Sequence, residues 1–125
     1  MKRCFSFLTV TALSVLTSHP AVALDCANTS VTSEMIECAD KDYRAADQSL
    51  NKAYSAFKKS QDEKGNELLL NAQRAWLKFR DANCALSADQ ARGGTLAPVL
   101  EIGCLASMTK DRTKELNDLS KGLGE

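Results

Sequence analysis

Cysteines at positions 26, 38, 84 and 104 are the residues best equipped for chemistry, as thiolate nucleophiles, metal ligands or disulfide partners. Their spacing contains no C-x-x-C pair, and the sole histidine, His19, lies in an N-terminal stretch that reads as an export signal. A tetrahedral zinc site needs four thiolate or imidazole ligands, usually with at least one closely spaced pair, so no metal is expected. An even set of cysteines in a small exported chain reads instead as two disulfides formed in an oxidising compartment. The fifth cysteine, Cys4, belongs to the signal.

With those thiols oxidised, no nucleophilic mechanism has a complete cast. Ser33, Ser87 and Ser107 lack a histidine base. Asp47 and Asp81 have no partner carboxylate at a spacing that would raise a pKa toward neutrality, as acid–base catalysis requires. Gly93-Gly94 followed by Thr95 at a helix start could offer free backbone amides to an anion, but glycine so commonly ends helices that a plain turn is the simpler reading. The expectation is therefore a binding protein without cofactor, not an enzyme.

The elements that position these residues begin after the signal. Lys2 and Arg3 precede an apolar run from Phe5 to Leu16, and Pro20 stands just ahead of Ala21-Val22-Ala23, a small-x-small cleavage site. The run is too short for a membrane span, which needs roughly 20 residues, so residues 1–23 are expected to be removed and 24–125 to form one domain in the periplasm or outside the cell. Cys26 follows Asp25 rather than a small residue, so no lipid attachment and no membrane anchor are expected after cleavage. The remaining chain has 14 basic against 16 acidic residues, a formal charge of −2. Such a balance gives no electrostatic case for binding nucleic acid.

Thr32 is placed to cap a helix with Glu34 and Glu37 in its first turn. Met35, Ala39, Tyr43, Ala46, Leu50, Ala53 and Phe57 then step by three and four to an end near Ser60. Gln61 to Asn66, with Gly65 and no apolar residue, reads as a turn short enough to make the neighbouring helices antiparallel. From about Asn66 the series Leu69, Ala72, Trp76, Phe79, Asn83 and Leu86 predicts a second helix ending at Gly93-Gly94. Thr95 can cap a third, with Pro98 in its first turn, carrying Ile102, Leu105, Met108, Arg112, Leu116 and Leu119 as far as Gly122. No segment alternates with period two, so the fold class is all-α, an up-down-up bundle of three helices held by two disulfides.

In such a bundle Cys38, Cys84 and Cys104 each lie about two turns from the same end, with Cys26 tethered nearby. Three connectivities are open. Loop lengths slightly favour Cys26 with Cys38 and Cys84 with Cys104, the second pair clasping the Gly93-Gly94 turn, over Cys38 with Cys84 and Cys26 with Cys104. Counting along each helix from that level brings Asp47, Trp76 and Arg112 together, as a partly buried ion pair packed on the indole. The reading is a polar clamp that fixes helix register, with Asn51 and Gln73 satisfying the remaining hydrogen bonds and Tyr43, Arg80 and Met108 forming the next layer. Leu68, Leu77 and Leu100 would support a dimer if exposed.

Asp25-Cys26, Glu34-Met35, Glu37-Cys38-Ala39, Tyr43, Ala46-Asp47, Leu50-Asn51 and Tyr54 form a recognisable string. It continues as Ala72-Gln73-Arg74-Ala75-Trp76, Phe79-Arg80-Asp81 and Cys84, and is extended by Gly93-Gly94-Thr95, Cys104-Leu105, Thr109, Arg112-Thr113 and Leu116. Together these residues resemble the lysozyme inhibitor LprI N-terminal domain family, exported bacterial helical proteins named for a mycobacterial lipoprotein that inhibits lysozyme. The resemblance implies a protein partner, a lysozyme whose sugar cleft is occluded by surface complementarity. On that reading the tip formed by Ala91, Arg92, Gly93, Gly94 and Thr95 is the candidate inserting loop, with Arg92 facing the catalytic carboxylates of a glycosidase. The alternative is a structural or interaction module of the cell envelope unrelated to lysozyme.

Overall fold

A computed structural model describes residues 23–122, so all of the expected signal 1–23 except Ala23 lies outside the described residues. Three helices, α1 (Thr32–Lys59), α2 (Glu63–Asp89) and α3 (Ala97–Lys121), follow one another, with no strand among the described residues. Their directions follow from which residues meet. Asp42 of α1 pairs with Lys110 of α3, and Leu50 and Phe57 further along share a cluster with Leu116, so α1 and α3 run parallel. Against α2 the order reverses: Cys84 joins Cys104, Arg80 reaches Thr109 and Gln73 reaches Arg112. The bundle is up-down-up.

The three interfaces are unequal. Helices α1 and α3 pack along most of their length, α2 leans mainly on α3, and the backbones of α1 and α2 scarcely approach. Side-chain size accounts for this. The buried positions Ala46 and Ala53 on α1 and Ala106 and Thr109 on α3 are small, and interaxial distance shrinks with the side chains at the contact. Between α1 and α2 stand Tyr43, Trp76 and Arg80, which hold the helices apart. At the opposite end from the disulfides Leu50, Ala53, Phe57, Leu69 and Leu116 form the apolar core, with Tyr54 and Trp76 packed on it.

Several helix ends differ from the sequence expectation. Thr32 is the first residue of α1 rather than its cap; Val31 occupies that position without a side-chain bond. Thr29 fastens the entry instead, accepting from the Val31 amide and donating to Glu34. Helix α2 begins three residues before Asn66, because the Asp62 carboxylate accepts a 2.7 Å bond from the Gly65 amide and so satisfies an otherwise unpaired donor of the first turn. Thr95 likewise does not cap α3, whose cap is Leu96. Helix α2 stops at Asp89, short of Gly93-Gly94, and a turn leads on to α3. Gly93 within it has φ +77°, a left-handed conformation that glycine adopts without steric cost.

The inward face of α2 is the largest correction. Of the expected stripe only Leu69 is buried and Trp76 half-buried; Ala72, Asn83, Phe79 and Leu86 face solvent, the last two 60% and 69% exposed. The residues that turn inward are Leu69, Gln73, Trp76, Arg80 and Cys84, again in steps of three and four. Helix α2 thus carries two apolar-looking stripes about a third of a turn apart, and the one containing arginine faces the core.

Candidate functional site

Disulfides Cys26–Cys38 and Cys84–Cys104 anchor one end of the molecule. Of the connectivities left open by the sequence, this is the one that loop length favoured. Cys26–Cys38 ties the lead segment to α1, whereas Cys84, fully buried, ties α2 to α3 across the turn containing Gly93.

Beneath the second disulfide lies a layer of arginine and aromatic side chains. Arg80, 6% exposed, sets its guanidinium carbon 5.6 Å from the Tyr43 ring and 5.2 Å from Trp76. Arg112, 8% exposed, comes within 5.8 Å of the same indole. Each cation therefore rests near an aromatic ring while its charge is satisfied at the rim of the bundle. Arg80 donates to Thr109 at 3.3 Å and pairs with Asp81 at 2.8 Å. Arg112 donates to Gln73 at 3.1 Å and to Glu115 at 2.7 Å. The carboxylates of Asp81 and Glu115 are themselves well exposed, so neither arginine forms a fully desolvated ion pair of the kind that loses more hydration than it gains in attraction.

Of the five residues expected in a clamp, the structure brings Trp76, Arg112 and Gln73 together and leaves Asp47 and Asn51 aside. Asp47 accepts a 3.1 Å bond from Asn51 along the exposed flank of α1, and no ion pair joins it to Arg112. The reason is rotational: Ala46 and Leu50 take the inward positions, which turns Asp47 away while Arg112 reaches toward α2 and finds Glu115 one turn ahead on its own helix. Glu115 and Thr109 are the partners that sequence reasoning missed. The i,i+3 spacing of Arg112 and Glu115 was a usable signal for the first; nothing local marks Thr109. Tyr43 and Arg80, expected in the next layer, meet there, whereas Met108 lies beside Cys84 and Asn83.

At the tip, Arg92 is 80% exposed along its side chain and held by Asp89 through two parallel bonds of 2.6 and 2.7 Å. Those bonds raise the guanidinium pKa above its ordinary value. The fork is already presented in the bidentate geometry that matches a carboxylate. Gly93, Gly94 and Thr95 around it are all exposed.

The depressions among the described residues are open grooves rather than enclosed clefts. One of about 310 Å³ lies at the end away from the disulfides, lined by Phe57, Leu68, Leu69, Leu116 and Leu119 among others. Along the outer face of α3 another is flanked by Lys114 and Asp118, whose 2.6 Å bond lowers the Asp118 carboxyl below its usual range. No cluster of three or more metal-ligating side chains occurs among the described residues, and no helix there is long and apolar enough to cross a membrane.

A family model described as lysozyme inhibitor LprI matches residues 25–116. An uncharacterized protein of Rhizobium meliloti (strain 1021) is 42% identical over an alignment of 108 positions, covering 76% of this chain and 78% of the relative. No solved structure matches.

Proposed function

The chain belongs to the lysozyme inhibitor LprI family, and from that premise we propose that it is an exported, non-catalytic protein that inhibits a lysozyme by occluding its sugar-binding cleft. The observation that carries this reading is the extent of the match: residues 25–116 include both disulfides, the arginine and aromatic layer and the turn between α2 and α3. A cross-linked helical scaffold suits the role because a rigid surface loses little conformational freedom on binding. The periplasm or the exterior is the compartment where such disulfides persist.

The tip is the part of the surface proposed to enter the cleft. Arg92 would exchange Asp89 for the carboxylate pair of the glycosidase, keeping a two-bond geometry. Replacing Arg92 with Ala is expected to weaken inhibition at least tenfold without changing the helical circular dichroism, since the side chain is exposed and its ion pair is with Asp89. Full inhibition by that variant would remove the tip from the binding face. If the chain instead serves as an envelope interaction module, it would co-purify with an endogenous protein and leave muramidase activity untouched.

A further inference from the structure

Helix α2 exposes a second apolar stripe that the bundle does not use. Leu68, Ala72, Ala75, Phe79, Ala82 and Leu86 recur at alternating steps of four and three, and all six face solvent. Leu68 is 57% exposed, Phe79 60% and Leu86 69%. Strict three–four alternation is the signature of a seam between two helices, because it keeps one line of side chains facing a partner helix. The stripe runs for about 27 Å at 1.5 Å per residue.

We infer that this face associates with a second copy of itself, α2 against α2 in antiparallel orientation about a two-fold axis at the level of Leu77. The residue order around that axis is self-complementary. Leu68 meets Leu86 of the second copy, Ala72 meets Ala82, and the large Phe79 meets the small Ala75, so protrusions face recesses on both sides of the axis. Such an isologous contact closes on itself and stops at two chains.

A separate feature supports the same register. Beside Leu68 lies the apolar groove of about 310 Å³ lined by Phe57, Leu69, Leu116 and Leu119. Leu86 is the most exposed large hydrophobic residue of the described chain, and the antiparallel register delivers it to that groove. Knob and hole sit at opposite ends of one helix, so each copy offers both. At the rim Lys78 approaches its own mate near the axis, a like-charge contact, whereas Arg74 and Asp81 lie round toward the far side of the helix. The charged rim therefore opposes the contact mildly, and the apolar stripe with its groove carries it.

The size of the contact sets its strength. Two strips about 27 Å long and about 10–15 Å wide hide roughly 600–800 Å² in total, below the roughly 1,200 Å² at which specific complexes become stable. The dimer is accordingly a weak one.

Sedimentation equilibrium of the oxidised chain, purified from the periplasm of an expression host, tests this over concentrations of a few micromolar to about a millimolar. The weight-average mass is expected to climb from one chain to two. F79K and L86K are each expected to raise the midpoint at least tenfold while leaving the circular dichroism and thermal midpoint unchanged, because both side chains stand outside the core. Register is read by mixing A72C and A82C with a short bismaleimide: the mixture is expected to cross-link and each variant alone to cross-link far less. A chain that stays monomeric throughout would overturn the inference, as would a dimer unaffected by F79K, or a monomer in which L86K abolishes binding to a lysozyme instead.

Discussion

Arg80 shows how a residue can be central to a core without being apolar. Its stem is packed away, its guanidinium lies near two rings, and its charge is met by Thr109 inside and Asp81 at the rim. A cation over an aromatic face contributes about 0.5–2 kcal/mol, and a buried hydrogen bond from a charged group about 1.5–3 kcal/mol. Arg80→Ala is therefore expected to lower unfolding stability by about 3 kcal/mol in urea titrations followed by circular dichroism. Asp81→Asn should cost less than about 1 kcal/mol, because the carboxylate is 61% exposed and solvent screens it. Equal losses would mean that the ion pair, not the stacking and burial, holds this layer together. At this scale the sequence was informative where chemistry is restrictive. Four cysteines with favourable loop lengths led to the pairing seen, and Trp76, Gln73 and Arg112 were placed together. It misled where rotation about a helix axis matters, since Asp47 lies only one position from the buried Ala46 and that single step turns it from the arginine to the flank of α1.

The existence and order of all three helices were legible in the three–four spacing, but the face that α2 turns inward was not. Periodicity ranks stripes by hydrophobicity, and on α2 the more hydrophobic stripe is the exposed one. The inward stripe contains Gln73 and Arg80, whose polar groups are satisfied only by residues of other helices. No local rule could prefer it. The disulfides divide the elements in a way that can be measured. Cys84–Cys104 closes a 20-residue separation between two helices of the bundle, and loop-closure entropy alone assigns it about 3 kcal/mol. Cys26–Cys38 spans 12 residues and secures a lead segment outside the apolar core, so part of its effect is confined to that segment. The double variant C84S/C104S is expected to lose about 3 kcal/mol of global stability, while C26S/C38S loses less and instead increases amide exchange through residues 25–31. Similar global losses from both would show that the lead segment belongs to the cooperative core.

At the scale of the whole molecule, composition and spacing conveyed an all-helical, cross-linked scaffold, and the bundle has the expected up-down-up order. The unequal packing was not foreseeable from hydrophobicity, because it depends on where small residues coincide on α1 and α3 and where large ones intervene between α1 and α2. Nor does any scaffold property name a target; the one proposed rests on family membership. The most direct test of the central claim is titration of several lysozyme types with the oxidised chain, alongside a reduced and alkylated sample. Stoichiometric inhibition of at least one type, lost when the disulfides are broken, is the predicted result. Undiminished lysozyme activity for every type at high molar excess of the oxidised chain would contradict it.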